Sequence, residues 1–313
     1  MRHNQRRYFY VCIMLTCITV TASAQKPRLT FTRTDHQVEI NVNDKPVASY
    51  VFHDKLISRP FFAHVKTPRG VQVTRNHPPR KGDRDDHATM HPGIWLAFGD
   101  LDGADFWRNK AQVKHIKLIQ APLSKRNRGS FIQLKRYIRP DNSVVCDEEF
   151  RVSIRVDEYA CFFFLESIFS SKNEFYFGDQ EEMGMGVRVA TPMSEVSGGT
   201  LLDSKGRQGA KRIWSHSAAW CDYSGEVEGK KAGMTIMCHP DNFRKSWFHA
   251  RDYGLSVANT FGRAAMKKGE PSKVFVKPGE TLRLRYAVWV HSGANVESIK
   301  TAYKEYLNLG EEQ

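Results

Sequence analysis

Apolar and polar residues alternate with a period of two along most of this chain. Residues 28–33 and 37–42 keep the alternation, 47–52 resumes it after the Asn43-Asp44 turn, and 61–67 adds a further strand before a turn over 68–71. Successive strand side chains point to opposite faces, so such a pattern marks strands with one face buried, here in a meander. Residues 113–120, 129–139, 144–156 and 159–169 read as long antiparallel strands joined by short turns, the clearest at Pro140-Asp141-Asn142. Phe162, Phe163 and Phe164 interrupt the alternation, which fits a strand buried on both faces. Shorter strands are predicted at 219–223, 233–238, 253–258 and 273–276. In 282–290, Leu282, Leu284, Tyr286, Val288 and Val290 line one face. Only 296–307 has a helical period, with Val296, Ile299, Tyr303, Tyr306 and Leu307 on one side. The pattern predicts an all-β fold: a large antiparallel two-sheet supersandwich with a short C-terminal helix, in one domain over 25–313.

The start of the chain breaks this pattern. Arg2, Arg6 and Arg7 precede a mostly apolar run over 8–20, and Ala22-Ser23-Ala24 has the small-x-small form of a signal-peptidase site. Residues 1–24 are expected to be a signal peptide and the protein to be exported, periplasmic or secreted. The apolar run falls short of the roughly 20 residues that span a bilayer, and no later run approaches that length, so no membrane association is expected after cleavage.

Charge changes the picture little. The formal net charge is +13, with the densest basic groups at 75–84 and 125–128. Neither group is interleaved with aromatic residues as in single-strand binders, so no nucleic-acid partner is expected. The basic balance leaves a modest bias toward anionic ligands. Of six cysteines, Cys12 and Cys17 fall in the leader. Cys146, Cys161, Cys221 and Cys238 lack CxxC spacing, which argues against a zinc knuckle or redox pair and leaves disulfides or buried thiols open.

Three polar stretches stand out from the strand pattern. Residues 238–262, CHPDNFRKSWFHARDYGLSVANTFG, hold His239, Asn242, Trp247, His249, Arg251, Asp252 and Asn259 with no period to absorb them. In an extended segment Trp247, His249 and Arg251 point to one side, placing an aromatic platform, a group titrating near neutrality and a fixed cation in a row. The bland alternative pairs Arg251 with Asp252 to lock a loop. The second stretch follows a long loop predicted over 76–86 and carries His87, His91, Asp100, Asp105 and Trp107 among glycines. His87 and His91 have the spacing of a helical zinc pair, but Pro92-Gly93 stops a helix and no HExxH glutamate is present. A polar cleft is the preferred reading, and no metal or other cofactor is expected. The third stretch sets Glu181 and Glu182 before Gly184, Gly186 and Arg188. A carboxylate in a partly dry cleft has its pKa raised and can act as acid or base near neutrality, and Glu182 is the preferred one. An ion pair to Arg188 is the alternative.

The runs HPGIWLAFGDLDGADFW, GDQEEMGMGVRVATP, WCDYSG, HPDNFRKSWFHARDYGLSVANTFG and LRLRYAVWVHSG resemble, in this order, an exported bacterial family labelled "methane oxygenase PmoA". The resemblance runs from about Pro46 to the C-terminal helix. It implies a galactose-mutarotase type of β-supersandwich and, by analogy, carbohydrate chemistry. The family's motif residues fall on His91, Asp100, Asp105, Trp107, Glu182, Arg188, Asp222, His239, Asn242, His249, Arg251, Asp252 and Asn259. Met90 stands where many relatives have the first histidine of a His-His pair.

Together these readings lead to an exported carbohydrate-active enzyme, a hydrolase, lyase or epimerase acting on a small sugar or oligosaccharide. Glu182 and His249, or His91, form the acid/base pair. Arg188, Arg251, Asp252, Asn242, His239 and Asp100 bind substrate, and Trp247 supplies a stacking face. The alternatives are a non-catalytic glycan-binding module and a metal-dependent oxygenase built on His87, His91 and a carboxylate. The oligomeric state is left open.

Overall fold

The computed structural model describes residues 26–309, so the expected signal peptide lies outside the described residues. The chain folds into two large antiparallel sheets, as the alternation predicts. The first sheet runs, in spatial order, β1 (Leu29–Arg33), β2 (Gln37–Val42), β3 (Lys45–Val51), β4 (Phe61–Ala63), β5 (Ile94–Phe98), β11 (Met183–Arg188), β16 (Leu255–Asn259) and β15 (Trp247–Arg251). The second runs β12 (Thr200–Asp203), β13 (Trp220–Val227), β14 (Lys230–Cys238), β18 (Leu282–His291), β9 (Ala160–Ser170), β8 (Val144–Val156), β7 (Arg128–Ile138) and β6 (Gln112–Lys125). A short ribbon of β10 (Phe175–Phe177) and β17 (Val274–Val276) stands apart.

Local sequence accounts for the connections. Asn43 and Asp44 both take positive φ, the left-handed pair that a two-residue hairpin between β2 and β3 requires. Asn142 does the same in the turn before β8. The predicted strand over 61–67 shortens to β4, because its continuation pairs with Val73 and Val71 through isolated backbone bonds instead of a ladder.

The main core lies between the sheets. Ile94, Leu96 and Phe98 of β5, Met183, Met185 and Val187 of β11, and Phe248 and Ala250 of β15 point inward against Phe163, Leu165, Phe131 and Val288 of the second sheet. Each fully buried side chain of this kind contributes roughly 1.5–3 kcal/mol. One ion pair is also buried there: Lys135 Nζ lies 2.7 Å from Glu148 Oε1, and that carboxylate further accepts from Tyr137 (2.7 Å) and Ser167 (2.6 Å).

Both sheets are covered on their outer faces as well. Helix α2 (Val296–Leu309) packs Ile299, Ala302 and Tyr306 over Phe162, Trp220, Met237 and Trp289, which explains the continuous phenylalanine run. On the first sheet the cover is irregular chain: Ile57 and Trp107 pack on Phe61, Trp95, Ala97, Leu255 and Val257. All four described cysteines are free and buried, and burial pushes the thiols up, away from reactivity.

Candidate active site

Because Met183, Met185 and Val187 face the core, the alternate residues of β11 face outward. The ladder places Trp95 opposite Gly186, Gly186 opposite Val257, and Val257 opposite His249, so one row of side chains crosses four strands on the outer face. Gly186 is required in that row: a Cβ there would sit 2.7 Å from the Trp95 ring, so the indole lies directly on the bare backbone. In the next row Arg188 stands opposite Leu255, and Leu255 opposite Arg251.

The chain bends at Glu181 just before β11, which carries this side chain to the end of the row beside His249. Glu181 Oε1 is the meeting point of three donors: Trp214 Nε1 at 2.5 Å, Arg251 Nη2 at 2.7 Å, and His249 Nδ1 at 2.9 Å. The imidazole N–H is off the line to that oxygen, so the His249 contact is chiefly one of charge and proximity. Burial would raise the Glu181 carboxyl, but His249, the indole N–H and Arg251 outweigh it and hold the group down at about 2. Glu181 is therefore an anion throughout the neutral range, and His249, whose side chain is almost fully buried, faces a fixed negative charge.

Asn259 fixes the backbone that presents Glu181. Its amide donates to the carbonyls of Gln180 (2.8 Å) and Glu181 (3.0 Å), while its oxygen accepts from Phe261 (2.8 Å) and Gly262 (2.9 Å). Gly262 leaves room for this: a Cβ there would lie 2.2 Å from the Gln180 carbonyl oxygen. Trp214 and Arg251, with Asp252 and Lys211, line an open depression of about 580 Å³ next to the pair. The Trp214 indole is flanked by Lys267 Nζ at 5.4 Å from the ring.

A second part of the same face surrounds His91. Its ring is fully buried in a stack of Tyr253, His87, His91 and Trp95, with 4.8 Å between the two imidazoles and 5.3 Å between His91 and Trp95. Neither His91 nitrogen has a hydrogen-bond partner, and the same holds for Trp95 Nε1, Trp107 Nε1 and Arg188 Nη1. Buried polar atoms without a protein partner are satisfied by water or by a ligand. Burial first, then His87, Arg188, Arg59 and Arg75, keep the His91 ring neutral.

Several expectations are corrected by this arrangement. The carboxylate beside His249 belongs to Glu181, because the chain bends just before Met183; the neighbouring glycines and arginine, on which the choice of Glu182 rested, do not decide which glutamate turns toward the imidazole. Glu182 pairs instead with Arg108. The expectation of a raised carboxyl concerns Glu182, whereas Glu181, the one beside His249, is held below its ordinary value. Arg188 pairs with Asp86 at 2.8 Å, not with either glutamate, and Arg251 pairs with Glu181, not with Asp252. Trp247 is on the outer face as expected, but Arg244 covers it at 5.6 Å, so the indole at the depression is that of Trp214. His239 and Asn242 lie away from this face, at the end of β14. His239 packs edge-on against Tyr306 of α2, and Asn242 exchanges two hydrogen bonds with the backbone of Arg285. Asp100 caps its own turn by accepting from the Gly103 N–H at 3.0 Å, and lines a depression with Arg108 and Asp105. Asp222 is buried against His291 and Thr235 on the second sheet.

Sequence reasoning missed Trp214, Tyr253, Asp86 and Arg59. Trp214 ends a four-residue helix, α1 (Ala210–Ile213), inside a turn-rich passage, where no period signals its direction. The other three lie in irregular chain or at a hairpin tip. His87 and His91 stack face to face, and among the described residues no three histidine, cysteine or acidic side chains are grouped to hold a metal ion.

Solved structures align over most of this chain at low likeness. A GH36 alpha-galactosidase variant from Geobacillus stearothermophilus, crystallised with raffinose, aligns over 86% of this chain and 41% of its own at 9% identity, with a TM-score of 0.44. This chain thus spans about two fifths of that enzyme. A galactose mutarotase-like protein from Clostridium acetobutylicum aligns over 85% of this chain and 99% of its own at 8% identity and a TM-score of 0.39. One from Lactobacillus casei aligns over 84% and 100% at 8% identity and a TM-score of 0.41. No residue role is transferred at this level of likeness. No curated protein matches the chain. One family model covers residues 37–304, nearly all of the two sheets and their outer-face cover, under the description "Family of unknown function" and without the methane oxygenase label, and the chain belongs to that family, DUF6807.

Proposed function

We propose that this protein is an exported carbohydrate-active enzyme that moves a proton to or from a sugar, with His249 as the proton-transfer group and Glu181 as its fixed counter-charge. The observation that carries the reading is the convergence of Trp214, Arg251 and His249 on one Glu181 oxygen beside an open depression. Each part has a use in sugar chemistry. An indole face accepts the apolar side of a pyranose ring, a guanidinium holds hydroxyl or carboxylate oxygens, and an imidazole beside a carboxylate is a common proton-transfer pair.

A carboxylate–imidazole pair suits an epimerase, in which a carbon gives up a proton on one face and takes one up on the other, or a lyase, in which proton removal accompanies loss of a neighbouring oxygen leaving group. A hydrolase would draw on Glu182 as a second carboxylate from the Arg108 side of the same face. The test is a panel of free sugars, glycosides and oxidised sugars, read by mass spectrometry, with the native protein beside Glu181→Gln. Conversion by the native protein alone supports the reading. Equal conversion by both removes Glu181 from the chemistry.

Glycan binding without turnover is the second reading, favoured by the openness of the depression beside Trp214. Saturable binding with no product from any panel member would select it.

A further inference from the structure

Three guanidinium groups are buried on the outer face of the first sheet, and among the described residues only one of them has a carboxylate in direct contact. Arg59, Arg75 and Arg188 are almost completely buried. Arg59 donates to the carbonyls of Trp107 (2.7 Å), Phe106 (3.5 Å) and Met90 and to the Asn109 side chain (3.1 Å). Arg75 donates only to carbonyls, those of Asp86 (2.6 Å), His91 (2.9 Å), Arg84 (3.0 Å) and His87 (3.3 Å). Neither has a carboxylate partner among the described residues. Arg188 alone is neutralised, by both oxygens of Asp86 at 2.8 and 2.9 Å, and its Nη1 faces no partner.

Asp86 is the movable half of that pair. Arg188 extends from a central strand and is 1% exposed, whereas Asp86 is 25% exposed and sits on the irregular segment 76–92. That segment is held down by polar contacts. Asp86 binds Arg188, the carbonyls of Arg84, Asp86, His87 and His91 bind Arg75, and the Arg84 N–H binds Thr191 at 3.0 Å. Near its end, His91 stacks on Trp95 of the sheet, and the nitrogens of both rings are unpartnered.

From this arrangement we infer that the ligand of this face is an anionic sugar, one bearing a carboxylate or a sulfate ester, whose oxyanion takes the place of Asp86 on Arg188 as the Asp86 side chain swings out to solvent, while the carbonyls of the segment stay on Arg75. The inference rests on the carbohydrate reading above and narrows it to a charge class. The physical reason is the cost of an unpaired buried cation. A neutral sugar that displaced Asp86 would leave Arg188 buried without a counter-charge, whereas one oxyanion replacing another keeps the pair and its paired hydrogen bonds. Arg188 Nη1 adds a donor that Asp86 does not use.

The test uses calorimetry on the full chain with glucuronic acid, galacturonic acid, glucose 6-sulfate, and neutral glucose and galactose. Acidic sugars should bind about tenfold or more tighter than their neutral counterparts, with the advantage shrinking at high salt. In Asp86→Asn, where Arg188 has lost its resident anion, acidic sugars should bind more tightly and raise the melting temperature more than in the native protein. Arg188→Gln should abolish the preference for acidic sugars. Preference for the uronic acids or for the sulfate ester identifies the oxyanion, and either supports the inference. Equal binding of neutral and acidic sugars overturns it while leaving the carbohydrate reading in place. Acidic-sugar binding that is indifferent to Asp86→Asn overturns it as well. Failure of every sugar to bind overturns both.

Discussion

Glu181 and His249 meet 2.9 Å apart on the outer face of the first sheet, one from a bend and the other from an edge strand, and the same Glu181 oxygen also receives Trp214 and Arg251. The relationship joins a carboxylate that stays ionised to an imidazole that has almost no access to water. Its consequences can be separated by substitution.

Glu181→Gln keeps the size of the side chain but removes the charge facing His249. Turnover of whichever sugar the panel identifies should fall by about 10²–10⁴, the range for losing a positioned acid/base component. Glu182→Gln, which breaks the pair to Arg108, should cost much less. Steady-state kinetics on both variants decide between the two glutamates, and the reverse order would reinstate Glu182.

Stability should carry the Glu181 charge as a pH signature. The carboxyl is held at about 2 in the folded protein against an ordinary value of 4.5. A lowered folded pKa contributes stability that is fully present above the ordinary value and is lost as pH falls toward the folded one. Melting temperatures measured between pH 4.5 and 2 should therefore fall more steeply for the native protein than for Glu181→Gln. Parallel curves would mean that the three donors do not hold the carboxylate in solution.

Asn259 satisfies two carbonyls and two N–H groups at the bend that presents Glu181. Asn259→Ala should destabilise the protein by about 2–3 kcal/mol in denaturant titrations, because buried backbone groups lose their partners. It should also lower kcat with little change in KM, since the substrate-facing groups remain but the carboxylate is no longer fixed.

Gly186→Ala places a methyl group 2.7 Å from the Trp95 indole. The ring cannot retreat without disturbing the stack with His91, so the change should cost about 1–3 kcal/mol and shift tryptophan fluorescence. Unchanged stability would show that the indole has room to move.

Lys135→Met strands Glu148 between the sheets and should cost about 3–5 kcal/mol. Removing both charges, in Lys135→Met with Glu148→Leu, should recover much of that loss. Chemical denaturation of the single and double variants measures the difference.

The strand periods and turn residues specified the architecture almost completely: Asn43 and Asp44 encode a hairpin, Phe162 to Phe164 encode a doubly covered strand, and 296–307 encodes a helix, each through short-range sterics and side-chain direction. The same local rules put Trp247, His249 and Arg251 on one face, and the ladder bears this out. Which groups meet there depended on contacts between residues far apart in the chain. The neighbouring glycines and Arg188 favoured Glu182, and a single bend before Met183, held by Asn259, brings Glu181 to His249 instead. His239 and Asn242 share a sequence neighbourhood with His249 but end up against the other sheet, because β14 and β15 belong to different sheets. Asp86 reaches Arg188, and Trp214 reaches Glu181, only once irregular chain has packed over the sheet. Period and turn chemistry act over a few residues and can be read in order, whereas the pairing of charges is set by the three-dimensional path that brings distant segments onto one surface.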